Sequence, residues 1–525
     1  MRTKKPIYLD AMISRADFAE IATNTSEAPK IPGVSLNNLG SDSFLVPVLR
    51  KPDFQRETNQ WTEDQVLVFL KSFLDNELVP AVIFWRSPDK IFVIDGAHRV
   101  SALLAWVNDD YGDGHKSQAL FGSNISTEQR NSADRLRKLI NKEVGSYSAF
   151  ANWMRLQDLS GLTTEQQARV SNARIRSIDL QWVEGTADKA ESSFFKINKQ
   201  GTPLDPIEEK LLRNRRAPIS IASRGIIRAG TGHKYWSKFS SEKTEKIESL
   251  SSEIHELLFA PELASPIKTL NLPHGGHTSP IAAYVLLMDI ISQASGVGDA
   301  DGEMSGLYDV DVDGSATIEA LHKINNVMVR ITGNDISSLG LHPAVYFYSP
   351  SGRHWDVMFL ATIKVFAKAI RSNDKLFFKS FKENRARLES ILIEHKPLLG
   401  QINISFRSKI RVEKWAKFIE DIARGKILKD SQKQTEILEA LDVSGKIIVS
   451  EFSDVGPEIS DETKSAAFFR VAFEAAHKCP LCGGLIQVEK SVSYDHVNPK
   501  SRGGSGGLAN VQMTHPYCNS LKGDA

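Results

Sequence analysis

All three cysteines of this 525-residue chain, Cys479, Cys482 and Cys518, lie at or after position 479. An odd number of thiols crowded at one end of a long chain argues against a disulfide framework and for a metal site. They stand in the pattern Cys479-Pro-Leu-Cys482 followed by His515-Pro-Tyr-Cys518. A Cys-x2-Cys pair on a tight knuckle points two thiolates at one ion, and His515 with Cys518 offers a second pair. Three thiolates and one imidazole are a common closed tetrahedral set for Zn²⁺. A glycine-rich module this small has too little core of its own, so a bound ion would fix its fold. Two alternatives stay open on these residues: His477 as the fourth ligand, or plain buried thiols without a metal.

Between the two pairs the chain places Asp495-His496 on a β-like run, VSYDHV, then Asn498, Pro499 and the loop SRGGSGG, then Asn510. Asn519 follows Cys518 at the start of a helix-like segment. Hydrolysis of a phosphodiester needs a base to activate water and a cation to stabilise the charge that develops. The order D-H-x-x-P-x-x-x-G-G…N…C-N-x-x-K resembles the HNH, or ββα-metal, nucleases. The resemblance implies that His496 is the general base, that Asp495 and Asn519 hold Mg²⁺ or a similar ion, and that Asn510 steadies the loop and the histidine. It also makes Lys522 a phosphate contact and Cys479, Cys482, His515 and Cys518 the zinc ligands. The family usually has cysteine where this chain has His515, and histidine is a competent replacement.

Near the other end, the β-rich KIFVI runs through Asp95-Gly96 into a helical pattern, AHRVSALLAW, with His98 and Arg99 at its start. A strand, a glycine turn and a helix N-terminus bring free N–H groups and the positive end of the helix dipole together, which suits phosphate. Arg99 adds a planar cation able to bind it with two hydrogen bonds. Asp95 either holds a metal or water, or caps the helix. Three blocks in sequence, PDFQR…WTEDQVLVFLKSFL, VIDGAHRVSALLAW and FFKINKQGTPLDPIEEKLL, resemble the N-terminal domain of GmrSD-type and SspE-type restriction proteins, which carry a DGQQR motif on a ParB/sulfiredoxin-like fold. The resemblance implies a nucleotide site of Asp95, Gly96, His98 and Arg99, with Gln55 and Arg56 of the first block facing the same pocket, as do Asn198 and Gly201 of the third. Ala97 and His98 stand where the family has its two glutamines, so nucleotide hydrolysis is less secure than binding.

The periodicities make the chain multidomain. Residues 1–40 read as a weakly ordered arm, 41–225 as an α/β domain, 226–464 as an all-α domain with a basic face for gripping DNA, and 465–525 as a compact glycine-rich module. The resemblances imply that the second is ParB-like and nucleotide-binding and that the last is a ββα-metal (HNH) zinc module. Within the second segment FLVPVL reads as a strand, WTEDQVLVFLKSFLDN as a helix started at Thr62, and the run from Ala173 to Glu184 as a strand. Asp205, Pro206 and Glu208 make a helix-start set. The formal net charge is +1, but Leu360–Asp430 carries 17 basic against 8 acidic residues, which suggests a basic face for a phosphate backbone. The acidic loop DVDVDGSATIEA places Asp309, Asp311, Asp313 and Gly314 as a calcium loop would, yet Ala320 stands where a bidentate Glu is required. It reads as an acidic surface loop, and the histidines of GHKYW and LPHGGH read as structural. The start of the chain has no uninterrupted apolar stretch, and IAAYVLLMDII is short and carries Asp289, so a cytoplasmic protein without a membrane span is expected.

Together these readings describe a metal-dependent DNA endonuclease of anti-phage defence. It would use Zn²⁺ structurally, Mg²⁺ catalytically and a nucleoside triphosphate for control, on modified or foreign double-stranded DNA. Two rivals remain: a nuclease without nucleotide dependence, and a non-catalytic ParB-like DNA-binding protein whose zinc module only binds. One HNH site cuts one strand, so double-strand cleavage would need a homo-oligomer or two nicks.

Overall fold

The alternation in VPAVIFW and KIFVI, apolar on both faces, calls for central strands covered from two sides. In the computed structural model the described residues are 6–18, 30–40, 42–55, 61–122, 124–200, 206–276, 280–297, 306–406, 408–428, 433–443 and 458–523. They divide into two compact units, Met1–Arg215 with Thr231–Tyr235, and Arg216–Gly230 with Trp236–Ala525.

In the first unit, β1 (Arg15–Ala16), β2 (Gly33–Ser35), β3 (Leu49–Pro52), β4 (Val82–Arg86), β5 (Ile91–Asp95) and β6 (Ser177–Trp182) form one sheet in the order β1-β3-β5-β4-β6-β2. β1, β3 and β5 run parallel, whereas β4 pairs antiparallel with β5 around a turn closed by Ser87 N–H to Lys90 O at 2.9 Å. Alternation along β5 sends Phe92 and Ile94 into one cluster with Phe18, Phe54, Trp85, Phe194 and Phe195. Val93 enters the larger cluster on the other face, beneath the helices Glu63–Leu74 and Ala97–Asn108. Thr62 starts the first of these as expected, accepting from Gln65 N–H in a reciprocal capping box.

Three expectations are corrected here. The first forty residues are no loose arm where they are described. Ile7, Leu9, Met12 and Ile13 are buried in the larger cluster. Asp10 accepts from both Arg15 and the fully buried Lys51, at 2.9 Å from the arginine. FLVPVL forms turns, and the strand begins only at Leu49, because the Leu45 carbonyl takes the N–H groups of Val48 and Leu49 at 3.1 and 3.0 Å. The strand expected from Ala173 is a helix as far as Ile175 and a strand from Ser177. The helix start at Asp205 falls outside the described residues, although the helix Pro206–Arg213 follows it.

Among its described residues the second unit is built mainly of helices between Pro218 and Ala475, and it includes the final module. Its strands, β7 (Ser493–His496) and β8 (Val511–Thr514), pair antiparallel and are followed by the helix Pro516–Lys522. The acidic loop turns out to start a helix. Asp311 accepts from Gly314 N–H at 2.9 Å and from both the N–H and hydroxyl of Thr317, opening the helix Ser315–Ile331. Part of the basic excess between 360 and 430 is spent on ion pairs. Lys364 pairs with Glu413, Lys414 with Asp442, and Arg424 with Asp374 and Glu420. Lys375 and Lys379 stay exposed. Among the described residues no helix is long and apolar enough to cross a membrane.

The Asp10 carboxylate is shared by two cations that the core desolvates, so Asp10→Ala should destabilise the first unit by roughly 3–5 kcal/mol. Hydrogen exchange of the 91–108 amides would read that loss, and the double change Asp10→Leu with Lys51→Met should recover most of it.

Candidate functional sites: a Cys3His centre beside Asp495 and Asn519, and the sheet edge at Asp95

The knuckle Cys479–Cys482 is closed by Gly483 N–H to Cys479 O at 2.8 Å and by Cys479 N–H to Gly484 O at 2.8 Å. Those two bonds aim both sulfurs inward. His515 and Cys518, at the start of the last helix, complete a group whose ligand atoms all lie within 4.8 Å of one another. The imidazole is already set for metal. Its Nε2–H donates to Leu485 O at 2.9 Å, which leaves Nδ1 facing the sulfurs, 3.3 Å from Cys482 Sγ. Burial lowers the His515 pKa, with the nearby Arg385 guanidinium acting in the same direction, so the ring is neutral as a ligand requires. Three sulfurs this close do not all ionise unaided. Hydrogen bonds from Cys482 and Cys518 drive Cys479 well below the ordinary thiol range, while the same contacts push Cys482 up to about 11 and Cys518 higher still. A divalent ion at the centre is what allows three thiolates together, so the donor set fits zinc. His477 lies outside this group.

Strand β7 carries the residues proposed for chemistry. Asp495 is 7% exposed and its Oδ2 accepts from Gln512 Nε2 at 2.7 Å and from Lys522 Nζ at 2.9 Å. Lys522 also donates to the carbonyls of His496 and Val497. The lysine expected at a phosphate is thus bound to the acid and to the end of its strand. Asn519 spends its amide N–H groups on Ser493 Oγ at 2.7 Å and Tyr494 O at 3.4 Å, and its Oδ1 has no hydrogen-bond partner among the described residues. A carboxylate and an amide oxygen are the donors a hard divalent cation takes, so these two residues fit one. Asn510 ties down the loop between the strands. It accepts from Asn498 N–H at 2.7 Å and donates to Asn498 O at 3.0 Å and Ser505 O at 2.7 Å. The half-buried His496 side chain has no hydrogen-bond partner among the described residues.

In the first unit the parallel strands β1, β3 and β5 end at one edge of the sheet, where ligands of open α/β sheets collect. Gly96 takes φ +88°, and a Cβ there would lie 2.8 Å from Val82 Cγ2 and 2.9 Å from Arg99 Nη2. Only glycine closes this turn. Asp95 does not cap the helix. Its Oδ2 holds Arg99 Nη2 at 2.9 Å, which also donates to Ala81 O at 3.0 Å. One edge of the guanidinium is thereby committed, and its Nε is buried without a hydrogen-bond partner among the described residues. His98 stacks on Trp61, with ring centroids 5.6 Å apart. Gln55, 5% exposed, reaches Ile94 O at 3.5 Å, and its Oε1 is likewise without a partner among the described residues. Asn198 instead bonds Phe194 O within its own helix at 2.9 Å. Arg56 and Gly201 lie outside the described residues.

Two residues at this edge escaped the sequence reading. His233, from GHKYW, stands 3.3 Å from Asp17 Oδ1 at the end of β1, and Tyr235 donates to Asp53 O at 3.3 Å. The segment returns to the first unit after a helix of the second, and no local pattern announces that. A third omission, Arg385, had a readable sign. The apolar stripe Phe377, Phe381, Leu388, Leu392 of the helix Lys375–Glu394 has an arginine at its centre.

Residues 36–216 match the family described as the GmrSD restriction endonuclease, N-terminal domain, and residues 479–525 match the HNH endonuclease family. No curated protein matches the chain, and no solved structure does.

The full chain should carry about one zinc ion on metal analysis, and Cys518→Ser should lose it, since three remaining donors leave a tetrahedral site open.

Proposed function

From the premise that this chain joins a GmrSD restriction-endonuclease N-terminal domain to an HNH endonuclease domain, we propose that it is a divalent-metal-dependent endonuclease that restricts modified or foreign DNA under control of a bound nucleotide. The observation that carries this reading is the meeting of Asp495, His496 and Asn519 around β7, beside a complete Cys3His donor set. A module that only binds DNA has no need of a buried carboxylate, an imidazole without a protein partner and an amide oxygen left over.

His496 takes the proton from the attacking water as the new oxygen–phosphorus bond forms. Asp495 and Asn519 would hold the divalent ion, which supplies charge stabilisation at the phosphate and at the leaving oxygen. Lys522 keeps the Asp495 carboxylate and the His496 carbonyl in place. Asn510 keeps the following loop closed. Cys479, Cys482, His515 and Cys518 would hold zinc in a structural role, since four protein donors complete a tetrahedral set. On the helical surface Lys375, Lys379 and Lys382 follow one another at helical spacing without an ion-pair partner among the described residues, which supports them as phosphate contacts.

At the N-terminal edge, a nucleoside triphosphate would find the N-terminal amides of the Ala97–Asn108 helix, the Arg99 guanidinium and the unsatisfied oxygen of Gln55. The ParB-like architecture belongs to this proposal, as do the cytoplasmic, anti-phage setting and a homo-oligomer for double-strand cleavage.

With Mg²⁺ and plasmid or phage DNA carrying different modifications, the wild-type chain should cut at least one substrate and His496→Ala should be reduced by a factor of 100 or more, on the order of general-base catalysis. Equal inertness of both proteins on every DNA would reject the nuclease reading. Separately, Arg99→Ala should abolish nucleotide binding in calorimetry while leaving the zinc content unchanged; unaltered affinity would remove Arg99 from the site.

A further inference from the structure

The zinc knuckle is not a free bead at the end of the chain. Its Leu485 is gripped from the helical body by two fully buried side chains of the helix Lys375–Glu394. Glu389, 1% exposed, accepts Leu485 N–H at 2.6 Å, and Arg385, 1% exposed, reaches Leu485 O at 3.5 Å. The two bond each other at 2.6 Å, and Tyr346 donates to Glu389 at 3.1 Å. Arg385 also donates to the carbonyls of Leu339 and Gly340, the latter at 2.8 Å. The Leu485 carbonyl is the same one that orients the ligand His515. Close approach depends on Gly484, where a Cβ would fall 2.3 Å from Arg385 Nε.

Charge gives this arrangement a purpose. A zinc ion with three thiolates and one neutral imidazole carries a net negative charge, and burying it uncompensated is unfavourable. Arg385, fully buried and bonded to both Glu389 and the Leu485 carbonyl, puts a cation beside that centre. Further bonds hold the same module to the same body. Lys490 donates to the carbonyls of Glu256, Leu257 and Ala260 at 2.9, 3.2 and 2.7 Å. Ser491 accepts from Gly333 N–H at 2.8 Å, and Val492 N–H, one residue before β7, reaches Asn334 Oδ1 at 3.1 Å. Arg330 lies 3.9 Å from the Phe378 ring and 4.4 Å from the Tyr517 ring, between zinc ligands 515 and 518.

We infer that Arg385 and Glu389 form the outer shell of the zinc centre, so that metal binding and the docking of the nuclease module on the helical body are a single event. This rests on the zinc reading above. Arg385 is a positioning residue: it touches neither metal nor DNA, and acts through Leu485, His515 and the charge of the thiolates. By linkage the coupling runs both ways. Zinc tightens the segment 330–341 and the Lys375–Glu394 helix, and these tighten zinc.

The test uses the full chain. Competition with a chromophoric chelator should show zinc held roughly 10- to 100-fold more weakly in Arg385→Met and Glu389→Gln than in wild type, the usual range for outer-shell changes. Arg385→Lys, which keeps the charge but not the fan of bonds, should fall between. Gly484→Ala, which alters no ligand and no charge, should also weaken zinc. Far-UV circular dichroism checks that each variant keeps its helices, so that a pair serving only the helical core would leave zinc affinity unchanged and overturn the inference. Should the buried substitutions fail to fold, wild type decides. Stripping its zinc should raise hydrogen exchange across 330–341 and 375–394 together with 479–486. Faster exchange confined to 479–486 would refute the coupling, whereas a wild-type chain that binds no zinc would refute the metal reading and this inference with it.

Discussion

The backbone of one residue, Leu485, carries much of what fixes the C-terminal module of this chain. Its carbonyl receives His515 Nε2–H and its N–H is taken by Glu389. The first bond selects the tautomer that gives His515 a free Nδ1 for metal, and the second ties the knuckle to a buried helix. A domain of this size has too little apolar area to hold itself together. Here Cys479, Ile486 and Cys518 form only a small cluster. The missing stability has two sources, the donor set and the helical body, and both converge on the turn that follows the Cys-x2-Cys pair. Strand β7 inherits its position from these anchors, because Val492 is bonded to Asn334 immediately before it and the last helix begins at a zinc ligand.

The first unit organises its site by a related principle. Buried charges there are matched by neighbours. Asp53 takes Arg215 on one oxygen at 2.8 Å and Phe18 N–H on the other at 3.4 Å. Asp10 serves Arg15 and Lys51 with a single oxygen. Against that background of satisfied groups, the unpartnered Gln55 Oε1 and Arg99 Nε stand out, since buried polar atoms in folded proteins nearly always find partners. Gln55 reaches the Ile94 carbonyl and Arg99 packs against Gly96, both near the end of β5.

Local features were legible in the sequence and long-range ones were not. The Thr62 cap, the β4–β5 pair and the Asp-Gly turn into a helix follow from short-range periodicity and turn chemistry. The Cys3His set was readable because cysteine is scarce and its spacing is geometric. The packed N-terminal segment was not, because Met12 and Asp10 acquire their meaning from Lys51 and the sheet, which no window around them contains. The strand expected from Ala173 failed at its start because its first residues alternate while belonging to the last turn of a helix. The basic run between 360 and 430 was legible only as a count, which cannot show which of its charges pair: Lys364 with Glu413 and Arg424 with Glu420 inside the window, and Lys414 with Asp442 beyond it. Arg385 shows the converse, a charge that looks solvated amid KENRAR but belongs to an apolar stripe.

The account makes zinc a support for β7 and a second divalent ion the agent of chemistry. Cleavage of a susceptible DNA by the full chain, with zinc removed by chelation and then restored, in saturating Mg²⁺ throughout, tests that division most directly. Activity that vanishes without zinc and returns with it, and that at all times requires Mg²⁺, is the predicted result. Undiminished Mg²⁺-dependent cleavage by zinc-free protein would contradict it.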